Sequence, residues 1–406
     1  MNRVCAFGSA HLPVKKCRIV SSAGGLDPGR FFERLQMRKQ IQTVVLGFVA
    51  SFAVVGFARG DGYLTSVGSG DNAIPLVVVR GTPYEMGKKQ GELTKRDAVE
   101  FIHTALERVQ ASDPKRFSNT SLDAAWKAIE PHTDARFREE LRGLADGTGL
   151  SMDDLRRAHA VPVIGNYSCS SIAAWGAATK NGHLYQTRNL DWDMNLTAQD
   201  HPLIVIYAPD KGIAHANISF AGCIGSNTGI NMRGIVLSEM GDSSGREFPF
   251  DINGTHFTTL FRTVLYDADS LDKAVALFKS ADRIKKYHFV VGDGVSRKAV
   301  KMLAHAPDLV IWKDNDPTDE LAPKVFKNVV YQDEGRGAFR PLQKLYGKIG
   351  ARDLIGVACK IPIKGDNVLD VVYDATALEF WVSYAKKDVE AYKRPFVHVK
   401  LKDYVH

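Results

Sequence analysis

From Ile74 onward the chain alternates between short apolar bursts and longer stretches with helical spacing. Ile74 to Val79 is a strand pattern, and Thr82-Pro83-Tyr84-Glu85 then supplies an N-cap and a proline at the first helical position. The spacing predicts helices from there toward Val109, over Ser121 to Ala145 with a break near Pro131, and over Ser151 to Ala160. Strand patterns follow at Ser170 to Thr179, His183 to Arg188, Leu203 to Tyr207 and His215 to Phe220. Ile230 to Leu237 reads as strand, tight turn and strand, and Asp293-Gly294 turns a further hairpin that continues to Trp312. Helices are expected at Thr255 to Tyr266, Leu271 to Ser280, Ala338 to Gly347 and Ala351 to Cys359, and a closing hairpin spans Val368 to Tyr384. Runs of strands separated by runs of helices predict an α+β chain with two antiparallel sheets face to face and helices outside.

The first 73 residues read differently. Ile41 to Ala58 is an apolar run behind Arg38-Lys39, and Gly56-Phe-Ala58 offers small residues in the arrangement of a signal-peptidase site. Translation starting at Met37 would give a conventional secretory leader, so residues 1–58 are read as a leader that exports the chain. An uncleaved membrane anchor is the competing reading. Residues 59–73, rich in Gly, Ser and Asp, read as a linker.

Composition narrows the function. The formal charge is +7, but residues 1–40 hold eight Lys and Arg against two acidic residues, leaving 45 basic against 44 acidic in the remainder. A balanced body lacks the clustered basic footprint of a nucleic-acid-binding domain. The 12 His and 5 Cys show no spacing of metal ligands, and no glycine-rich stretch has the strand and helix around it that a nucleotide site needs, so no metal or cofactor is expected. Cys5 and Cys17 fall in the leader, leaving Cys169, Cys223 and Cys359; a Cys223–Cys359 disulfide stays open, and an odd number implies a free thiol.

Cys169 opens a strand beside Ser168, Ser170 and Ser171, and Lys180-Asn181-Gly182 separates that strand from a partner ending in Arg188, Asn189 and Asp191. Asn-Gly between two such runs predicts a type I′ hairpin. On its own, a cysteine here is a small core residue. Its company is not apolar, and that company carries the chemistry.

The run Cys169-Ser-Ser-Ile-Ala-Ala-Trp-Gly-Ala-Ala-Thr179, then Asn-Gly and Arg188-Asn-Leu-Asp-Trp192, resembles the N-terminal-nucleophile hydrolases of the isopenicillin N acyltransferase type. Acid ceramidase and choloylglycine hydrolase are more distant relatives of that type. Arg80 to Gly91, Gly225 to Gly234 and Asn367 to Ala385 agree in order, so the resemblance covers nearly everything from Ile74. It implies a four-layer αββα sandwich, with 74–168 as a helical propiece or small subunit and 169–406 as the catalytic domain.

The resemblance also implies a mechanism. Such enzymes cut themselves before the nucleophile, here between Ser168 and Cys169, and the freed α-amine becomes the base. An amine near ~7.7–8.0 and a thiol near ~8.5 exchange a proton at small cost around neutral pH. Arg188 and Asp191 match the Arg-Asn-x-Asp pattern that places a cation beside the nucleophile and a carboxylate on its amine. Asn231 matches an oxyanion donor, against a turn-forming role. Asn328 would supply a second donor, and Arg340, with Arg336 as competitor, would be a late active-site arginine. The distance from Cys169 to the Asn-Gly turn is longer than in bile salt hydrolases, so straight pairing sets Asp191 opposite Ile172; a bulge at Gly176 would restore the register.

The expected function is an autoproteolytic amidase or N-acyltransferase. Cys169 would take the acyl group of a small acylated amine as a thioester and pass it to water or an amine, with the two cleaved fragments staying associated and further oligomerisation open. Two other readings remain at this stage: a thiol hydrolase in which His183 or His288 is the base and no cleavage occurs, and an exported binding protein without turnover.

Overall fold

The computed structural model describes residues 61–405 apart from 166–167, 242–250, 306, 323, 334 and 336. The leader with its Met37 start, Ile41–Ala58 run and export function lies outside the described residues. No described helix is long and apolar enough to cross a membrane.

The N-terminal part comprises β1 (Gly62–Val67), β2 (Ile74–Gly81) and helices α1 (Pro83–Ser112), α2 (Asn119–Ile129), α3 (Ala135–Thr148) and α4 (Met152–Ile164). The hairpin β3 (Ser168–Gly176) and β4 (Gly182–Trp192) follows, then β5 (Pro202–Pro209), β6 (His215–Phe220), β7 (Thr228–Asn231) and β8 (Ile235–Met240). Next come α5 (Phe257–Asp267), α6 (Leu271–Ser280), β9 (Lys286–Asp293), β10 (Lys298–His305), β11 (Asp308–Trp312) and β12 (Val329–Gln332). The chain closes with α7 (Phe339–Leu345), α8 (Ala351–Ala358), β13 (Asp366–Asp374), β14 (Glu379–Tyr384) and β15 (Val397–Lys400).

The strands form a nine-stranded sheet, in the order β1-β2-β5-β6-β7-β8-β9-β10-β11, and a six-stranded sheet, β12-β3-β4-β13-β14-β15. Among the described strands only β2 and β5 form a parallel ladder. The sheets pack face to face and are stitched by buried polar contacts: Gln186 Nε2 donates to Ser238 Oγ (2.8 Å) and Val290 O (3.0 Å). Helices α7 and α8 cover the outer face of the smaller sheet through Leu342, Leu354 and Val357 against Ile172, Ala174 and Val372. On the outer face of the larger sheet, α1 and α5 bury Met86 and Tyr266 against Val77, Val79 and Val205. The result is the four-layer αββα sandwich.

Sequence explains the joints. Thr82 Oγ1 accepts from Glu85 N and Glu85 Oε2 accepts from Thr82 N, a reciprocal cap that starts α1 at Pro83. Gly87 and Gly91 on α1 meet Gly143 and Gly147 on α3 so closely that a Cβ on Gly143 would lie 2.0 Å from Tyr84 O and one on Gly87 2.0 Å from Glu140 O. Those glycines let the two backbones touch. Glu140 then reaches α5, where Arg262 donates to both its oxygens at 2.9 and 2.8 Å in a buried pair.

Several expectations need correction. Residues 62–67 of the supposed linker form β1, paired with β2 along its whole length. The segment 74–168 is not wholly helical in its contribution, because β2 lies inside the larger sheet beside β5. Helix α4 passes Pro162 and ends at Ile164, since a proline in the last turn forfeits a single backbone bond. Strands β12 and β15 are too short to show a period and were not expected. No disulfide joins Cys223 and Cys359, so the pairing left open is not formed.

Candidate active site

The central hairpin differs from a type I′ turn. Gly176 pairs with Gly182, which leaves a loop of 177–181, and both glycines have positive φ, 53° and 72°. Asn181 does not share that conformation, so the Asn-Gly pair is not the turn's centre. The wider loop, with one register shift between Ala174 and Gly176, sets Asp191 opposite Ser168 and Leu190 opposite Cys169. Asp191 is therefore four residues further along β3 than its straight-pairing position opposite Ile172.

Strand alternation then sorts the side chains. Cys169, Leu190 and Arg188 point between the sheets, whereas Ser170, Asn189 and Asp191 share the opposite face with Asn367 and Asp370. On the inner face Arg188 Nη1 donates to Cys169 Sγ at 3.1 Å. Its Nη2 lies 3.4 Å from Glu239 Oε2, and Nε reaches Asn227 O at 3.5 Å. Arg188 and Glu239 are both fully buried, and Cys169 is 1% exposed. Burial pushes the Cys169 thiol up to about 12; Arg188 pulls it back, while Glu239 and Asp191 push it further. In the intact chain the sulfur is a protonated, enclosed thiol.

On the other face, Asp191 Oδ2 accepts from Lys364 N (3.2 Å) and Oδ1 from Asn367 Nδ2 (3.4 Å). Asn367 Nδ2 also donates to Asp370 Oδ1 (2.8 Å), which accepts from Asn189 Nδ2 (2.8 Å) as well. Asp191 thus sits beside the Ser168–Cys169 junction within a buried carboxyl and amide network.

Three other candidates lie elsewhere. Asn231 ends β7 with Nδ2 donating to Leu265 O (3.2 Å) and Ala268 O (2.8 Å), while Oδ1 accepts from Arg233 N and Ile235 N. Both side-chain N–H donors are spent at the C-terminus of α5 and the side-chain oxygen accepts from its own turn, which leaves no side-chain N–H for an oxyanion. Asn328, at φ 61°, packs against Gly176, the end of β3 remote from Cys169. Seven residues of strand separate the two ends, about 23 Å. Arg340 is exposed on α7, outside the smaller sheet; Arg336 lies outside the described residues. Of the alternative bases, His183 bonds Asp374 at the Gly182 end of β4, the end remote from Cys169, and His288 stands on β9 opposite Met240.

The site includes residues the motif reading missed. Glu239 is the one charged residue of β8, a strand buried along its whole length, and could have been found as a charge in a buried run. Asn367 and Asp370 fall in a stretch already singled out for its resemblance, but without assigned roles. Gln332, opposite Ser171 on β12, stands nearer Cys169 than Asn328 does.

Beside the site lies an apolar pocket. Its walls are Phe101, Ile102, Leu106, Leu190, Trp192 and Phe220 among others, and its polar lining includes Asn227, His159 and Thr258. Leu190 is the register partner of Cys169, and Asn227 supplies the carbonyl met by Arg188. A second opening runs past Val161, Pro162, Gly165, Asp191 and Lys364 and shares Val161, Pro162, Trp192 and Leu196 with the first.

Comparison with known proteins follows the same line. The family described as acyl-coenzyme A:6-aminopenicillanic acid acyl-transferase matches residues 177–316. Over that span the chain is similar to this acyltransferase family. It is 29% identical to protein dcd1B of Dictyostelium discoideum over 315 residues, covering 71% of this chain and 61% of dcd1B. It is 25% identical to the N-acylethanolamine-hydrolyzing acid amidase of Oryctolagus cuniculus over 211 residues, covering 50% of this chain and 57% of the amidase. The chain thus spans less than two thirds of either protein's length. A solved structure of the Caenorhabditis elegans N-acylethanolamine-hydrolyzing acid amidase ortholog superposes with a TM-score of 0.41 at 15% identity, covering 56% of this chain and 98% of that one.

Proposed function

We propose that the protein is an autoproteolytic cysteine amidase or acyltransferase acting on small amines that carry an apolar acyl group. The observation that carries this reading is the pairing of Cys169 Sγ with Arg188 Nη1 at 3.1 Å, on a strand whose preceding residue, Ser168, is held opposite Asp191. The sulfur attacks the Ser168 carbonyl carbon, the peptide bond breaks toward nitrogen, and the acyl group of residue 168 moves to sulfur. Water then releases that ester, leaving a carboxylate on Ser168 and an α-amine on Cys169. The amine takes the thiol proton, Arg188 favours the thiolate, and Asp191 holds the ammonium. A substrate amide repeats the first half of this chemistry. Its acyl group forms a thioester, its amine leaves with the proton, and water or a second amine accepts the acyl group.

The pocket supports the substrate class, because a wall of aromatic and aliphatic side chains favours an apolar acyl chain. The Glu140–Arg262 pair and the β2–β5 ladder support fragments that stay together after the cut. Intact-mass analysis is the test. Purified wild-type protein should give two fragments whose larger member begins at Cys169, and Cys169→Ala should give one uncut, inactive chain. A single wild-type chain that still hydrolyses acylated amines would overturn the proposal.

A further inference from the structure

Strand β13 carries an irregularity that gathers polar groups on one face. Asn367 pairs with Asp191 and Leu369 with Leu190, so one residue, Val368, is extra in the ladder, and Asp370 then pairs with Asn189. Residues three apart on a regular strand face opposite ways. The extra residue instead turns both Asn367 and Asp370 toward the pocket that holds Asp191, Asn189 and Ser170.

There the groups form a chain. Asn367 Nδ2 donates to Asp370 Oδ1 at 2.8 Å and to Asp191 Oδ1 at 3.4 Å, and Asn189 Nδ2 donates to Asp370 Oδ1 at 2.8 Å. The asparagine is itself fixed, since its Oδ1 accepts from Tyr392 N at 2.9 Å. Asp370 is 1% exposed and its Oδ2 has no hydrogen-bond partner among the described residues, so an ionised carboxylate here leaves one oxygen uncompensated. The charged or titratable groups around it are Asp191 and, on the other face of β4, Arg188, with Tyr392 and, just past the end of α8, Cys359 lining the same pocket. Two carboxyls sharing one asparagine do not both ionise readily.

We propose that Asp370 is the second carboxyl of a pair with Asp191, joined through Asn367, and acts as a positioning residue that sets the charge presented to the amino end of Cys169. The proposal rests on the nucleophile reading above. With Asp370 protonated, Asp191 carries the single negative charge. When Asp370 ionises, a second negative charge raises the proton affinity of both the amine and the thiol and makes the sulfur a poorer nucleophile. Burial lifts Asp370 to about 7, with Asp191 pushing the same way and the two asparagine bonds and Arg188 opposing, so the change falls near neutral pH.

The experiment compares processed wild-type protein with processed Asp370→Asn, measuring the rate at which iodoacetamide alkylates Cys169 across pH by peptide mass, with Cys223, remote from Asp370, as internal reference. Below about pH 6 the two proteins should react alike, since the amide mimics a protonated acid, and above about pH 8 the variant should react roughly tenfold faster. A constant ratio at every pH would mean a merely structural residue and overturn the inference. The intact chain offers a second measurement that needs neither the variant nor cleavage. Infrared spectra of aspartate-labelled wild-type protein should show a protonated buried carboxyl that titrates away near pH 7; no such band would also overturn it. An uncut wild-type chain would defeat the proposed function, and the infrared titration would still decide the carboxyl pair.

Discussion

Arg188 Nη1 stands 3.1 Å from Cys169 Sγ, and the same guanidinium faces Glu239 at 3.4 Å on the opposite sheet. One buried cation therefore serves both the Cys169 thiol and a carboxylate of the core. Its removal has two separable effects. Arg188→Met strips Glu239 of a charge partner in a fully buried setting and should lower stability by about 3 kcal/mol. Arg188→Lys keeps a charge but loses the fork that reaches both groups, so stability should fall less while cleavage before Cys169 slows at least tenfold, about one unit of thiol acidity. Urea unfolding and a time course of intact mass measure the two effects.

Asn231 offers a contrast between motif and geometry. Its amide donates to two carbonyls at the end of α5 and accepts two backbone N–H groups of its own turn. Asn231→Ala should therefore lower the melting temperature, by the equivalent of about 2–4 kcal/mol for several buried bonds lost together. The reaction rate per folded molecule should stay within about twofold, whereas loss of an oxyanion donor costs roughly a hundredfold or more. Activity normalised to active-site titration decides between the two roles.

These cases show what was legible in the chain. The αββα layering followed from the order of strand and helix patterns, and the strand of Cys169 with Arg188 and Asp191 lay in one contiguous motif whose pairing is local. What failed was long-range. Asn231 was assigned from its Gly-flanked sequence, but whether its amide is spent or available depends on α5, some 30 residues away. Asn328 was assigned from the family resemblance, yet the register of β12 sets it at the end of β3 remote from Cys169 and brings Gln332 toward Cys169 instead. The Asp191 register needed a loop length that Asn-Gly alone does not announce, and the Asn367–Asp370 face exists only because of a bulge.

Acid should destabilise the folded chain. Burial drops His159 from 6.5 to about 4, and it pushes His215 and His256 down as well. Each of these groups is neutral when folded and binds a proton first in the unfolded chain, so the stability it contributes is present above about 6.5 and lost as pH falls toward its folded value. For His159 alone the loss is about 3 kcal/mol. Asp370 has the opposite sign: raised from 3.8 to about 7, it holds an extra proton in the folded state, and its contribution is present at low pH and lost as pH rises through 7. Three histidines outweigh one carboxyl. Urea midpoints should fall from neutral pH toward pH 4, and more steeply in Asp370→Asn, which removes the opposing term.

The last prediction concerns specificity. The apolar pocket draws Phe101, Ile102, Ala105 and Leu106 from α1 and Ala158 from α4, so the part of the chain upstream of the proposed cut builds much of the wall. An apolar acyl chain seated there would gain about 0.8 kcal/mol for each methylene buried, so kcat/KM should climb roughly three- to fourfold per carbon until the pocket is full. Ala105→Phe fills part of that space at a half-buried position without touching the network around Cys169. The variant should cleave itself at the wild-type rate, keep its activity on a short acyl amide, and lose at least tenfold on a long one. The comparison to run is a series of acyl amides of increasing chain length with a common amine, read as kcat/KM. A parallel drop for every chain length would place the acyl group elsewhere, whereas a break that moves to shorter chains in Ala105→Phe assigns it to the wall shared by α1 and β4.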